Sequence, residues 1–132
     1  MEAHSYGMTI TTDLGMEAAE TAIRSALADQ GFGILTEIDV AATLKTKIDV
    51  DRSPYRILGA CNPVLANQAL EIEEGIGLLL PCNVAVYESN GRTVVAAMEP
   101  ELMSGVTENS ALADVAAEAK RRLVAALSTL ES

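Results

Sequence analysis

Apolar and polar positions change period several times along the chain, and each change marks an element. Met8-Thr9-Ile10-Thr11-Thr12 alternates and is rich in β-branched residues, which predicts a strand. Met16, Ala19, Ile23, Ala26 and Leu27 then recur at helical spacing up to Gln30, with Thr12 or Asp13 as the expected cap and Gly31 as the stop. Gly33 to Asp39 reads as a second strand, and Asp39 can cap a short helix over 40–48 with Val40, Leu44 and Ile48 on one face. After the charged break 49–53, Tyr55 to Cys61 forms a third strand. It runs into Asn62-Pro63, a capping side chain followed by a proline suited to the first helical position. The helix from Pro63 to about Glu74 is expected to turn Val64, Leu65, Ala69 and Ile72 inward and to close at Gly75.

The run Ile76-Gly77-Leu78-Leu79-Leu80 is apolar on every side and is expected to be buried as an extended lead-in to Pro81. Cys82 to Glu88 and Thr93 to Glu99 are strand patterns joined across Ser89-Asn90-Gly91-Arg92, where Asn-Gly offers the positive φ angles of a tight antiparallel hairpin. The stretch 100–108 reads as a loop, and Asn109 or Ser110 caps a last helix carrying Leu112, Val115, Ala116, Ala119, Leu123, Ala126, Leu127 and Leu130 on one face. The order is β-α-β-α-β-α-β-β-α. Long helices that need a sheet to cover, with one explicit hairpin, make the class α+β.

Length and charge narrow the partners. The 132 residues suit a single domain over 1–132, with a folded surface of roughly 6,700 Å², enough to close one core without disulfides or zinc. The start MEAHSYGMTI lacks a basic segment followed by an apolar one, so the expected compartment is the cytoplasm. Nineteen acidic against nine basic side chains give a net charge of −10, which opposes phosphate backbones and anionic membranes. Neither nucleic acid nor membrane is expected as a partner. Phe32, Tyr6, Tyr55 and Tyr87 are the only aromatic residues, too few for a nucleic-acid stacking platform.

Candidate chemistry rests on two cysteines in matching contexts. Ala60-Cys61-Asn62-Pro63 ends a strand and Leu80-Pro81-Cys82-Asn83-Val84 begins one. If the strands are antiparallel neighbours the two ends meet; if parallel, the thiols lie about 20 Å apart. Either both cysteines are small buried hydrophobes, or Cys61, facing the positive end of the following helix, is a thiolate that can attack, carry sulfur or bind a soft metal. In the second case Cys82 is its partner, and Asn62 and Asn83 donate to sulfur. Met98 and Met103 can complete a soft set for Cu(I) or haem iron, or simply fill core gaps.

A closed zinc site lacks ligands: His4 is the only histidine, on an unanchored N-terminal segment, and no Cys-x-x-Cys occurs. A Ser-His-Asp triad fails for the same reason. Glu71, Glu73 and Glu74 read as a solvated face. Asp39, Asp49 and Asp51 lack the glycine and bidentate glutamate of a calcium loop, and no phosphate-cradling motif occurs.

The segments Gly31-Phe32-Gly33-Ile34-Leu35-Thr36-Glu37-Ile38-Asp39, Tyr55 to Pro63, Gly77 to Val84, and Glu99-Pro100 with Met103 resemble the family called domain of unknown function 302. That resemblance implies a two-layer α+β protein with helices against a curved, largely antiparallel sheet similar to the TATA-binding-protein-like class, commonly a homodimer. It marks Cys61, Asn62, Pro63, Pro81, Cys82, Asn83, Pro100 and Met103, with Glu99 standing where an Asp often precedes the proline. It implies little about activity. The expected function is therefore a small dimeric binding module with a Cys61/Cys82 thiol or soft-ligand site for a metal, haem, sulfur or a small thiophilic molecule. One alternative is a structural or regulatory homodimer whose cysteines are core residues. The other is a sulfur-transfer or redox enzyme, disfavoured because no general base stands beside the thiols in sequence.

Overall fold

A computed structural model describes residues 1–131. Six strands form one open, wholly antiparallel sheet: β1 (Glu2–Ala3), β2 (Gly7–Thr12), β3 (Gly33–Asp39), β4 (Tyr55–Cys61), β5 (Cys82–Ser89) and β6 (Arg92–Met98), in the order β1-β2-β6-β5-β4-β3. Five α-helices accompany them: α1 (Met16–Asp29), α2 (Val40–Ile48), α3 (Pro63–Ile72), α4 (Leu102–Thr107) and α5 (Ala113–Ser128). The class is α+β, and the observed order contains the expected β-α-β-α-β-α-β-β-α pattern. β1 is an addition: two residues pair with Met8 and Thr9, too short to leave a periodic trace in the sequence.

The helices cover one face only. Met8, Ile10, Leu58, Ala60, Val84, Val86, Val95 and Ala97 point to that side and pack on Ile23, Leu27, Leu123 and Leu127 of α1 and α5, the main core. A second cluster gathers Leu65, Ala69, Ile76, Met103, Leu112, Val115, Ala116 and Ala119 at the Cys61 end of the sheet. Every apolar position predicted inward on the last helix and its lead-in is buried.

The caps set the boundaries. Asp39 accepts from the Ala42 N–H at 2.9 Å and Asn62 from the Leu65 N–H at 3.2 Å, as their positions required. Asn109 accepts from the Ala111 N–H at 3.0 Å and starts a short 3₁₀ turn, 110–112, that leads into α5. Asn90 (φ 52°) and Gly91 (φ 75°) make the β5–β6 hairpin, with Ser89 opposite Arg92.

Four expectations are corrected. Neither Thr12 nor Asp13 caps α1: the Thr12 hydroxyl accepts from the Leu14 N–H at 3.3 Å, closing a local turn, and extended Gly15 occupies the cap. α3 stops at Ile72 because Glu73 is already extended, and Val64 and Ile72, both expected inward, are 66% and 38% exposed. The run 76–80 is not an extended buried segment. Residues 74–79 form a 3₁₀ helix in which Ile76 is sealed and Leu78 is 92% exposed; Gly75 and Gly77 weaken any longer helix. The stretch 100–108 contains α4, nucleated by bonds from the Leu102 and Met103 N–H groups to Glu99 O and Pro100 O at 3.1 and 3.0 Å, which bury Met103.

Candidate functional site

β4 and β5 are antiparallel neighbours, with Ala60 opposite Cys82, so the end of one strand meets the start of the other. Cys61, Asn62, Pro81, Cys82 and Met103 all line one small apolar cavity of about 30 Å³ under α3 and α5. That is room for a water-sized occupant and far too little for a haem. Both thiols are free, with no disulfide. Strand alternation separates their rows: Cys82 continues the helix-covered row of Val84 and Val86, whereas Cys61 ends the row of Tyr55, Ile57 and Gly59 on the other face. Burial pushes the Cys82 thiol up to about 11, with a further contribution from Cys61, so at neutral pH it is a protonated, sheltered thiol.

The flanking residues have other occupations. Asn62, buried, uses Oδ1 to cap α3 and donates Nδ2 to Gln30 O at 3.4 Å, tying the start of α3 to the end of α1. Arg122 Nη1 donates to the same carbonyl at 3.0 Å. Pro81, after a cis peptide bond, packs against Gly59, where a Cβ would fall 2.8 Å from Pro81 Cγ. Asn83 is exposed on the helix-free face, and Met98 lies on that face too. The structure thus brings Cys61, Asn62, Cys82 and Met103 to one cavity and leaves Asn83 and Met98 outside it. Glu99 receives Lys120 at 2.7 Å and the Glu101 N–H at 3.1 Å, which docks the exit of the hairpin on α5. Among the described residues no group of three or more His, Cys, Asp or Glu side chains could hold a metal ion.

A larger feature lies on the helix-free face. Register places Thr9, Ala96, Ala85, Ile57 and Ile38 in one row across five strands, and Thr11, Val94, Tyr87 and Tyr55 in the next. Small side chains in mid-sheet and aromatic ones to either side leave a cleft of about 360 Å³, floored by Gly7, Ala85 and Ala96 and walled by His4, Tyr6, Tyr55 and Tyr87. Tyr55 and Tyr87 stack with ring centroids 4.8 Å apart and planes within 9°; His4 and Tyr6 stack at 5.9 Å and 19°. Burial raises the Tyr87 hydroxyl above its ordinary value, and Tyr55 and Tyr6 add to the rise, as their proximity demands. The N-terminal segment is anchored after all: β1 pairs with β2, and His4 Nε2 lies 3.4 Å from Thr9 Oγ1. No composition or spacing rule joins residues 6, 55 and 87; only the shared parity of Tyr55 and Tyr87 on their strands hinted at a common face.

An open antiparallel sheet with one helical layer, two free cysteines where β4 ends and β5 begins, and an uncovered aromatic face define a small α+β module. The family model for the domain of unknown function DUF302 matches residues 8–130, and the chain belongs to that family. The crystal structure of an uncharacterized conserved DUF302 protein from Bacillus stearothermophilus is similar over 97% of this chain and 100% of its own, at 30% identity and a TM-score of 0.91. The search of curated proteins gives no match. No helix among the described residues is long and apolar enough to cross a membrane.

Proposed function

We propose that this protein is a non-catalytic binding module whose working surface is the helix-free face of the sheet, with the cysteine-containing segments serving as scaffold. One observation carries the reading: a chain with only four aromatic residues places all three tyrosines, with its one histidine, around an accessible cleft instead of in the core. The scaffold role follows from what the motif residues already do. Asn62 is spent on a helix cap and a tie to α1, Pro63 opens α3, Pro81 packs on Gly59, and Cys82 is buried and protonated.

The module is taken to work as a homodimer, with a second copy over the β3–α2 arm. No residue of the nine-residue α2 is fully buried, a length that is marginal without packing, and Leu35 and Ile48 stand 67% and 63% exposed.

A protein-observed NMR screen with a mixed library of small molecules tests the assignment of the surface. Shifts should cluster at Gly7, Thr9, Ala85 and Ala96, and should persist in the Cys61→Ser, Cys82→Ser double variant. Clustering at Ala66, Met103 and Ala119 instead would transfer the function to the sulfur-lined cavity. That second reading has its own support: Cys61, Cys82 and Met103, from three separate segments, share a space that suits a one-atom soft ligand.

A further inference from the structure

The ligand class of the open cleft follows from its shape and charge, granted the reading above that this face is the working surface. Its walls are π-faces: the stacked Tyr55–Tyr87 pair on one side, and His4 with Tyr6, 72% exposed, on the other. Its floor is flat because Gly7, Ala85 and Ala96 project little or nothing from the pleat. A volume of about 360 Å³ lies within the range of small-molecule sites, roughly 300–1,000 Å³. None of the twelve lining residues is Asp, Glu, Lys or Arg. The Glu2 carboxylate lies 4.0 Å from His4 Nε2 at the rim, and the protein as a whole carries −10. An anionic ligand meets repulsion here with no Lys or Arg in the lining to offset it. A flat cation gains from the overall field, from the Glu2 carboxylate and from the negative faces of the tyrosine rings. The Asn83 amide and the Thr9 hydroxyl supply the polar contacts that orient a ring nitrogen or its substituents.

We infer that the cleft binds a planar heteroaromatic cation, held by stacking and cation–π contact with Tyr6, Tyr55 and Tyr87.

Three two-ring probes of similar size test this on the full chain: 1-methylquinolinium, neutral quinoline and quinaldate, titrated at pH 7.5 and followed by tyrosine emission and amide shifts. The cation should bind about ten-fold more tightly than quinoline, and quinaldate more weakly still. Ala96→Leu, which fills the floor while leaving the core untouched, should weaken the cation by at least about ten-fold with an unchanged circular dichroism spectrum. Tyr55→Leu should do the same through loss of a ring face. Quinoline or quinaldate binding as tightly as the cation overturns the inference, as does indifference to Ala96→Leu. If the mixed screen finds only aliphatic or anionic molecules at Ala85 and Ala96, the ligand class falls while the assignment of the surface stands. If its hits map elsewhere, both fall.

Discussion

Replacing Asn62 by alanine separates a scaffold role from a role in sulfur chemistry. Asn62 Oδ1 accepts from the Leu65 N–H at 3.2 Å, one of the otherwise unpaired donors of the α3 N-terminus, and loss of such a cap costs about 1 kcal/mol, within a range of about 0.5–2. Nδ2 donates to Gln30 O at a long 3.4 Å, worth about 0.5 kcal/mol. That carbonyl keeps the Arg122 guanidinium at 3.0 Å, so truncation leaves no orphaned acceptor. Together the loss is about 1.5–2 kcal/mol, which for a domain of this size lowers Tm by about 5–8 °C. Asn62→Ser keeps a neutral cap acceptor and gives up the amide donor, so about 0.5 kcal/mol is lost. Urea and thermal unfolding followed by circular dichroism measure both, and hydrogen exchange should quicken at Leu65 and Ala66 in the alanine variant alone. An alanine variant within about 0.5 kcal/mol of the parent, or one no worse than the serine, would refute the reasoning and free Asn62 for another role.

Three further outcomes are expected. Thiol labelling at pH 8 should modify half-buried Cys61 first and leave Cys82 unreacted until the protein unfolds; equal rates contradict the burial of Cys82. The Cys82 proton also gives stability a pH dependence. Its folded pKa, about 11, lies above the ordinary 9.0, so the folded state holds the proton longer and the contribution is complete below pH 9. It is lost as pH rises to about 11, by up to about 1.4 kcal/mol per unit, and comparison with Cys82→Ala isolates it from the tyrosines and lysines titrating nearby. Sedimentation at tens of micromolar should give twice the 13.9 kDa chain mass, and Leu35→Glu should give the single mass with an intact fold; a monomeric parent refutes the dimer.

Much of the architecture was legible in the chain because it depends on neighbours within four or five residues. Helical spacing in α1 and α5, the Asp39 and Asn62 caps, Pro63 at the first turn and Asn90-Gly91 in the hairpin are local choices, and local physics decides them. The misread stretches, 74–79 and 102–107, are short 3₁₀ and helical turns. Their form depends on burying Ile76 and Met103 against α3 and α5, a tertiary reward that no window of sequence contains.

The candidate sites divide along the same line. The sequence by itself determined that Cys61 and Cys82 sit at strand ends beside prolines, that the chain carries a net charge of −10, and that aromatic side chains are scarce. Only the tertiary structure decided that β4 and β5 are antiparallel neighbours, and that decision carries both cysteines to one cavity while alternation sends their rows to opposite faces. It alone decided that Tyr55 lies opposite Tyr87 and within reach of Tyr6, because strand order and register are set by which faces the whole sheet can bury. The helices bury one face, and on the other the pairing gathers residues more than eighty positions apart.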